Sequence, residues 1–363
     1  MRLAYLNLTT TNHNGRSHSI LSKIDQQARI AKELGLPFDF YWLPGKTHPG
    51  DDRYTHLNIL PVGGNTLPIV RWRQCRALKK LMRRYDRALL RHPLIDPVLF
   101  LCLKNRERMI LEHHTKEKEE LKVTGDIRLV FEITLGGSWI RSFHALTAVT
   151  PEIVDYEVHR SGFSGPTGFF PNSIDLDNQS APRETADDRA DTPLQIIMVS
   201  TYFTPWQGLD RILDQISTAG SLPPFDLHLV GRLSPELESR CKNFCQITLH
   251  GTLDSEQVWN LYRNMDLGMG SLTLSRKGLT QATPLKVREY LAAGLPVVLG
   301  YHDPAIPQDF PYVLYQEQFD FAKMLEFAQT HRQTPGAAIR EAARPHIDAR
   351  AITQRLYDFC TIA

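Results

Sequence analysis

Short apolar runs alternate with longer helical patterns along most of the chain. Residues 2–8 form an apolar run of strand length, and the polar stretch 9–17 follows, with Asn14-Gly15 as a turn signal. Ile20, Leu21, Ile24, Ala28, Ala31 and Leu34 then recur at helical spacing until Gly35 stops them. Residues 38–43 read as the next strand, and further strands are expected at 97–102, 109–111 and 146–149. This strand–helix–strand rhythm predicts a parallel sheet with helices on its faces.

The composition shifts between 173 and 194, where residues 178–193, polar, proline-bearing and free of large apolar residues, predict a linker or an exposed loop. A second series follows. Strands are predicted at 195–199, 226–230, 246–251, 267–272 and 296–300, and helices at 209–216, 255–264 and 284–293. Two α/β halves around a cleft are the expected architecture. The boundaries read as 1–175, a linker 176–194, a second domain 195–345, and a C-terminal helix 346–363 that can cross back to the first domain.

A length of 363 residues fits two domains of ordinary size. Apolar residues make up 42%, enough for buried cores, and the net charge of +2 gives no reason to expect nucleic acid as partner. Five cysteines form no Cys-x-x-Cys pair, and the start lacks the apolar core of a signal sequence. A cytoplasmic protein with free thiols is therefore expected, and no apolar run approaches the roughly 20 residues of a membrane span.

The segment from Gly278 to Val298 carries the strongest chemical signal. Thr283 is a candidate N-cap, Pro284 suits a first helical turn, Gly294 suits the stop, and Pro296 starts the next strand. A helix entered from a strand end offers free N–H groups and a positive dipole end to an anion. Lys286 adds a cation in the first turn, and Glu289, three residues on, presents a carboxylate on the same face for two vicinal hydroxyls. Arg276 and Lys277 bring further charge just before. A capped amphipathic helix with solvated charges is the plain alternative.

This segment resembles the nucleotide-sugar site of retaining GT-B glycosyltransferases of family 4 (group 1). Those carry Glu, seven residues, Glu, then small residues, Gly and Pro-Val-Val. Here Glu289 and the tail Tyr290 to Val298 match. Phe170-Pro-Asn-Ser-Ile-Asp175 resembles the family's Pro-Asn-Gly-(Ile/Val)-Asp. The stretches Trp206 to Leu213, Leu249 to Leu253, Val258 to Tyr262 and Asp266 to Ser271 match further pieces in order. The resemblance implies two Rossmann-like domains facing a cleft, a nucleotide-diphosphate sugar as donor, and transfer to a glycan, polysaccharide or lipid-linked acceptor. It places Thr283, Pro284, Leu285, Lys286 and Glu289 around the nucleotide, with Gln207, Gly208 and Tyr202 on the loop after the first strand of that domain. Three positions depart from the pattern: Gln281 stands for the first Glu, and Tyr202 and Gln207 stand for an Arg and a Lys. Charge for the diphosphate then falls to Arg276, Lys277, Lys286 and the helix start, with Arg232 a weaker candidate.

On the acceptor side the resemblance assigns a cleft histidine to His114, with Glu112 two residues before it, and Gly15 borders the cleft from the first loop. Nine bases, Arg71, Arg73, Arg76, Lys79, Lys80, Arg83, Arg84, Arg87 and Arg91, stand against Asp86 alone. Residues 71–91 read as a basic amphipathic helix able to lie on an anionic membrane surface, or to pack its apolar face on the sheet. A zinc site from His113 and His114 is disfavoured because adjacent side chains diverge. Asp175-Leu-Asp177 matches a metal-binding Asp-x-Asp by chance, so no essential metal is expected. A non-catalytic nucleotide-sugar-binding subunit is the second reading, and an epimerase of the same shape a third.

Overall fold

The computed structural model of the chain describes residues 1–9, 16–46, 51–184 and 192–363. Gly15 lies outside the described residues. The chain forms two units, Met1–Pro171 with Ala349–Ala363, and Asn172–Asp348.

The first unit is built on seven strands, β1 (Leu3–Thr9), β2 (Phe38–Pro44), β3 (Asn58–Ile59), β4 (Arg87–Arg91), β5 (Met109–His113), β6 (Ala145–Ala148) and β7 (Thr167–Phe169). Their order is β3-β2-β1-β4-β5-β6-β7, and all pairs are parallel. Helices α1 (Arg16–Glu33), α2 (Leu67–Leu81), α3 (Pro97–Cys102), α4 (Glu117–Thr124), α5 (Leu129–Arg141) and α6 (Pro151–Ser161) accompany it. Period-two alternation sends successive strand residues to opposite faces. Leu3, Tyr5 and Ile110 pack with Leu21 and Ile24 of α1 and with Leu356 and Cys360 of the last helix, Ala349–Ile362. Ala4, Leu6, Leu90 and Leu111 pack on the other face with Leu78 of α2 and Trp139 of α5. Both faces are covered, which is why these strands read as nearly continuous apolar runs.

The second unit has β8 (Leu194–Tyr202), β9 (Phe225–Arg232), β10 (Ile247–Gly251), β11 (Leu267–Met269), β12 (Val297–Leu299) and β13 (Val313–Tyr315). The order β10-β9-β8-β11-β12-β13 is again all parallel. Its helices are α7 (Leu209–Thr218), α8 (Pro235–Cys241), α9 (Ser255–Tyr262), α10 (Leu285–Ala292), α11 (Phe321–His331) and α12 (Gly336–Ile347). Strand order reverses between β1 and β4 in the first unit and between β8 and β11 in the second. In doubly wound sheets, such points hold ligands at the carboxyl ends of the strands.

Three expectations need correction. Residues 97–102 form helix α3, not a strand. Six apolar residues carry no decisive period, and the local caps decide instead: Asp96 accepts from Leu99 N–H at 2.9 Å and Pro97 occupies the first turn. The basic stretch 71–91 is not one helix. It ends α2 at Leu81 and then supplies β4, whose Ala88, Leu89 and Leu90 are fully buried. Arg71 leaves the surface altogether and pairs with Asp96 through Nε at 2.7 Å, with NH2 donating to Pro93 O and Leu94 O and NH1 to Gln74 Oε1 at 3.2 Å. Finally, much of the expected linker is built into the second unit. Ile174 and Leu176 join its core, and buried Arg183 donates to Gly294 O, Arg332 O, His331 O and Thr334 O.

Candidate functional site

In the second unit, the reversal point is bordered by the segment after β8 and the segment after β11, and hydrogen bonds tie these segments together. Leu272 N–H donates to Gln207 O at 3.0 Å, Thr273 N–H to Trp206 O at 3.2 Å, and Thr273 Oγ1 to Pro205 O at 2.8 Å. Arg276 clamps the same corner. Its guanidinium makes a two-pronged pair with Asp210 at 2.9 and 2.7 Å and donates to Pro205 O at 2.8 Å. Lys277 lies over the Trp206 ring, 5.6 Å from its centroid.

Gln207 is buried and braces its own loop. Its Oε1 accepts from Thr204 N–H at 2.8 Å and from the Thr204 hydroxyl, while Nε2 donates to Ser200 Oγ at 3.1 Å. A neutral amide meets these demands for both a donor and an acceptor, whereas a lysine can only donate. Gly208 opens α7 at φ +79°. Tyr202, exposed at the end of β8, pairs in register with Arg232 at the end of β9. Gln281 bridges to His302, with Ala282 N–H donating to His302 O at 3.3 Å and His302 N–H to Thr280 O at 3.1 Å.

Helix α10 follows. Pro284 takes the N-cap position that the sequence assigned to Thr283. Thr283 is committed instead to Asn172, accepting its backbone N–H on Oγ1 at 3.2 Å and its Nδ2 on the carbonyl at 2.7 Å. By helix geometry, Leu285 and Lys286 present N–H groups without intrahelical acceptors. Lys286 Nζ is buried without a hydrogen-bond partner among the described residues. Burial pushes its pKa down to about 8, against the attraction of Glu289. Burial likewise raises the Glu289 carboxyl, while the Tyr262 hydroxyl, 3.3 Å from its Oε2, and Lys286 pull it back.

Sequence reasoning missed what anchors this helix. Arg288 is fully buried in a two-pronged pair with Asp303, one arm at 3.0 Å, and its Nε donates to Asn172 O at 2.8 Å. Tyr290 is also fully buried, and its hydroxyl accepts Val199 N–H from β8 at 2.9 Å. Neither partner is signalled by spacing along the chain. Pro171-Asn172 was visible only through the resemblance.

In the first unit, Glu112 and His114 stand at the carboxyl end of β5, beside Arg91 at the end of β4. Tyr5 OH donates to Glu112 Oε2 at 2.6 Å. His114 Nε2 lies 2.9 Å from Glu112 Oε2 and 2.6 Å from Arg91 NH1. One ring nitrogen serves only one of them at a time, accepting from Arg91 or donating to Glu112. Burial would raise Glu112, yet the attraction of His114, Lys23 and Arg91 holds its carboxyl well below the usual range. Burial and Arg91 push His114 down to about 3. At neutral pH the pair is therefore a carboxylate and a neutral imidazole, with Arg91 and Lys23 as the counter-charge.

Residues 193–309 match the family described as Glycosyl transferases group 1. No curated protein matches the chain. Among solved structures, sucrose-phosphate synthase from Thermosynechococcus elongatus is similar with a TM-score of 0.68 at 15% identity, over 99% of this chain and 98% of that one. The lipopolysaccharide outer core galactosyltransferase WaaB in its apo form gives 0.67 at 11%, over 100% of each chain. A variant of S. aureus TarM in complex with Fondaparinux, alpha-GlcNAc-glycerol and UDP gives 0.66 at 10%, over 99% of this chain and 100% of that one. The chain has the GT-B fold, two parallel-sheet α/β domains, and through residues 193–309 it resembles the group 1 glycosyl transferases.

Proposed function

We propose that the second unit binds a nucleotide-diphosphate sugar at the start of α10, and that the protein transfers the sugar, with retained configuration, to a glycan, polysaccharide or lipid-linked acceptor. The observation that carries this reading is the Lys286 ammonium, buried and without a hydrogen-bond partner among the described residues, in the first turn of a helix at the reversal point. A buried cation lacking acceptors is costly. A diphosphate supplies both charge and oxygens, and the Leu285 and Lys286 N–H groups add to the same site. Glu289, steadied by Tyr262, accepts from the ribose hydroxyls. As the diphosphate leaves, its growing charge meets donors already in place, a large catalytic term in such reactions. Gln281 hydrogen-bonds the donor sugar, and neutral His114, held by Glu112, hydrogen-bonds a sugar hydroxyl. The group 1 match and a fold neighbour that holds UDP support the donor class. Turnover of a panel of nucleotide sugars should fall at least tenfold in Glu289→Ala; equal, substantial turnover in both proteins contradicts the reading.

A second reading, a non-catalytic subunit that binds the donor, is favoured by one observation. Gln207 replaces a phosphate-binding cation and is spent on bracing its loop. That reading predicts donor binding by calorimetry without hydrolysis or transfer, and a gain of activity in Gln281→Glu.

For the acceptor, we propose contact with an anionic membrane surface through α2 and the turn after it. Leu67, Ile69 and Trp72 are exposed there among Arg73, Arg76, Lys79, Lys80, Arg83 and Arg84, with Arg76 stacked 4.8 Å from the Trp72 ring centroid. No helix among the described residues is long and apolar enough to cross a membrane. The chain should sediment with anionic vesicles, less so with neutral ones, and lose binding in Lys79→Glu/Lys80→Glu. Equal binding to both vesicle types, or to neither, contradicts this contact.

A further inference from the structure

A second group of ionisable side chains lies in the first unit, on the face of β5 opposite to Glu112. His113 ends β5 and His92 follows β4. Their rings stack with centroids 4.5 Å apart and planes 22° from parallel. His113 Nδ1 is 2.7 Å from Glu117 Oε2, at the start of α4, and 4.0 Å from Glu157 Oε1 of α6. His92 Nε2 is 3.0 Å from Glu132 Oε1 of α5. Arg160 backs the cluster, donating to Glu132 at 3.1 Å and to Glu157 at 2.6 Å.

Two facts set this cluster apart from an ordinary salt-bridge network. One ligand atom each from His92, His113 and Glu117 lie within 4.8 Å of one another. His92 Nδ1, His113 Nε2 and Glu157 Oε1 are buried and have no hydrogen-bond partner among the described residues. The imidazole side chains are 1% and 0% exposed, so bulk solvent does not reach them. Three carboxyl groups, of Glu117, Glu132 and Glu157, gather around the two imidazoles against the single guanidinium of Arg160, a donor set poor in cationic partners for its oxygens.

We propose that His92, His113 and Glu117 hold a transition-metal ion of the Zn2+ type as a structural site, with Glu157 completing the coordination. Imidazole and carboxylate donors suit Zn2+. Tetrahedral bonds of roughly 2.0–2.2 Å bring ligand atoms to about 3.3 Å from each other, a small adjustment of the side chains present. Glu132 stands behind His92 as a carboxylate behind a ligating imidazole does, fixing its tautomer and orientation. Gly136 leaves room for this backing, since a Cβ there would lie 2.8 Å from Arg160 NH1 and 2.9 Å from Glu132 Oε2. The ion would pin the ends of β4 and β5 to α4, α5 and α6. The expectation against zinc rested on adjacent His113 and His114, and those two side chains do diverge. The second imidazole comes instead from the neighbouring strand. This inference does not depend on the donor-site reading.

The test is Zn2+ and Co2+ binding to the full chain after dialysis against a chelator. One equivalent of bound metal, a raised melting temperature and the ligand-field absorption of tetrahedral Co2+ are expected. Glu117→Gln and His113→Gln should abolish the Co2+ band and the thermal shift. Glu132→Gln should weaken Zn2+ binding about 10–100-fold while the band persists. Should the variants not fold, the wild-type Co2+ spectrum decides alone. Absence of bound metal overturns the proposal, leaving protons as the compensating charge. So does binding that survives Glu117→Gln and disappears in His228→Gln/His250→Gln, the stacked pair in the second unit whose Nδ1 and Nε2 lie 2.9 Å apart.

Discussion

At Lys286 an aliphatic stem carries an ammonium into the first turn of α10, where burial holds its pKa near 8. The shift is downward, so the cation is present below that pH and is lost as pH rises through it. Diphosphate binding should therefore be strong at pH 7 and weaken steadily above pH 8, with proton uptake on binding as the anion draws the pKa back up. Calorimetry of a nucleoside diphosphate at pH 7 and pH 9.5 checks this; an affinity unchanged across that range would show that Lys286 does not meet the phosphates. The residue's place on the helix was legible in the sequence, because caps and breakers flank it. Its isolation was not, since burial depends on packing that spacing does not encode. The same holds at His114: its position was legible through the resemblance, whereas Arg91 reaches it, and Tyr5 reaches its partner Glu112, only through the register of three strands.

Among the elements, α10 shows how chain breakers position a site. Gly294 ends it at φ +78°, and a Cβ there would sit 2.4 Å from Gly336 Cα at the start of α12. Gly294→Ala should cost about 2–5 kcal/mol, combining left-handed backbone strain with overpacking. Gly278 has φ +69° but nothing within 4 Å of its would-be Cβ, so Gly278→Ala should cost only the backbone part, roughly 1–2 kcal/mol. Urea midpoints of the two variants check the contrast, and equal losses would mean that the Gly294–Gly336 approach is not tight. Elements were legible where period and a chain breaker agree, as with Gly35 after α1 and with Pro284 and Gly294 around α10. They were misread where a short apolar run had no period of its own. Residues 97–102 became a helix through Asp96. Ala88-Leu89-Leu90 lie within the stretch read as one basic helix, yet form a central strand because β1 and β5 both pair with them.

Across the whole chain, the repeated strand–helix rhythm was enough to expect two parallel-sheet units, and the order of motifs in the second half was enough to expect a GT-B protein. What spacing could not reveal was long-range pairing: Arg288 with Asp303, Asn172 with Thr283, and Arg183 with the carbonyls around Gly294. These bonds tie an apparent linker to the segment around α10. Whether Lys286 meets a diphosphate is tested most directly by calorimetric titration of the full chain and its Lys286→Met variant with nucleoside diphosphates at pH 7. Loss of a charged hydrogen-bond donor predicts an affinity weaker by about 1.5–3 kcal/mol, roughly ten- to a hundredfold, with the variant still folded. A nucleoside diphosphate bound equally tightly by both proteins, or by neither, would contradict this contact.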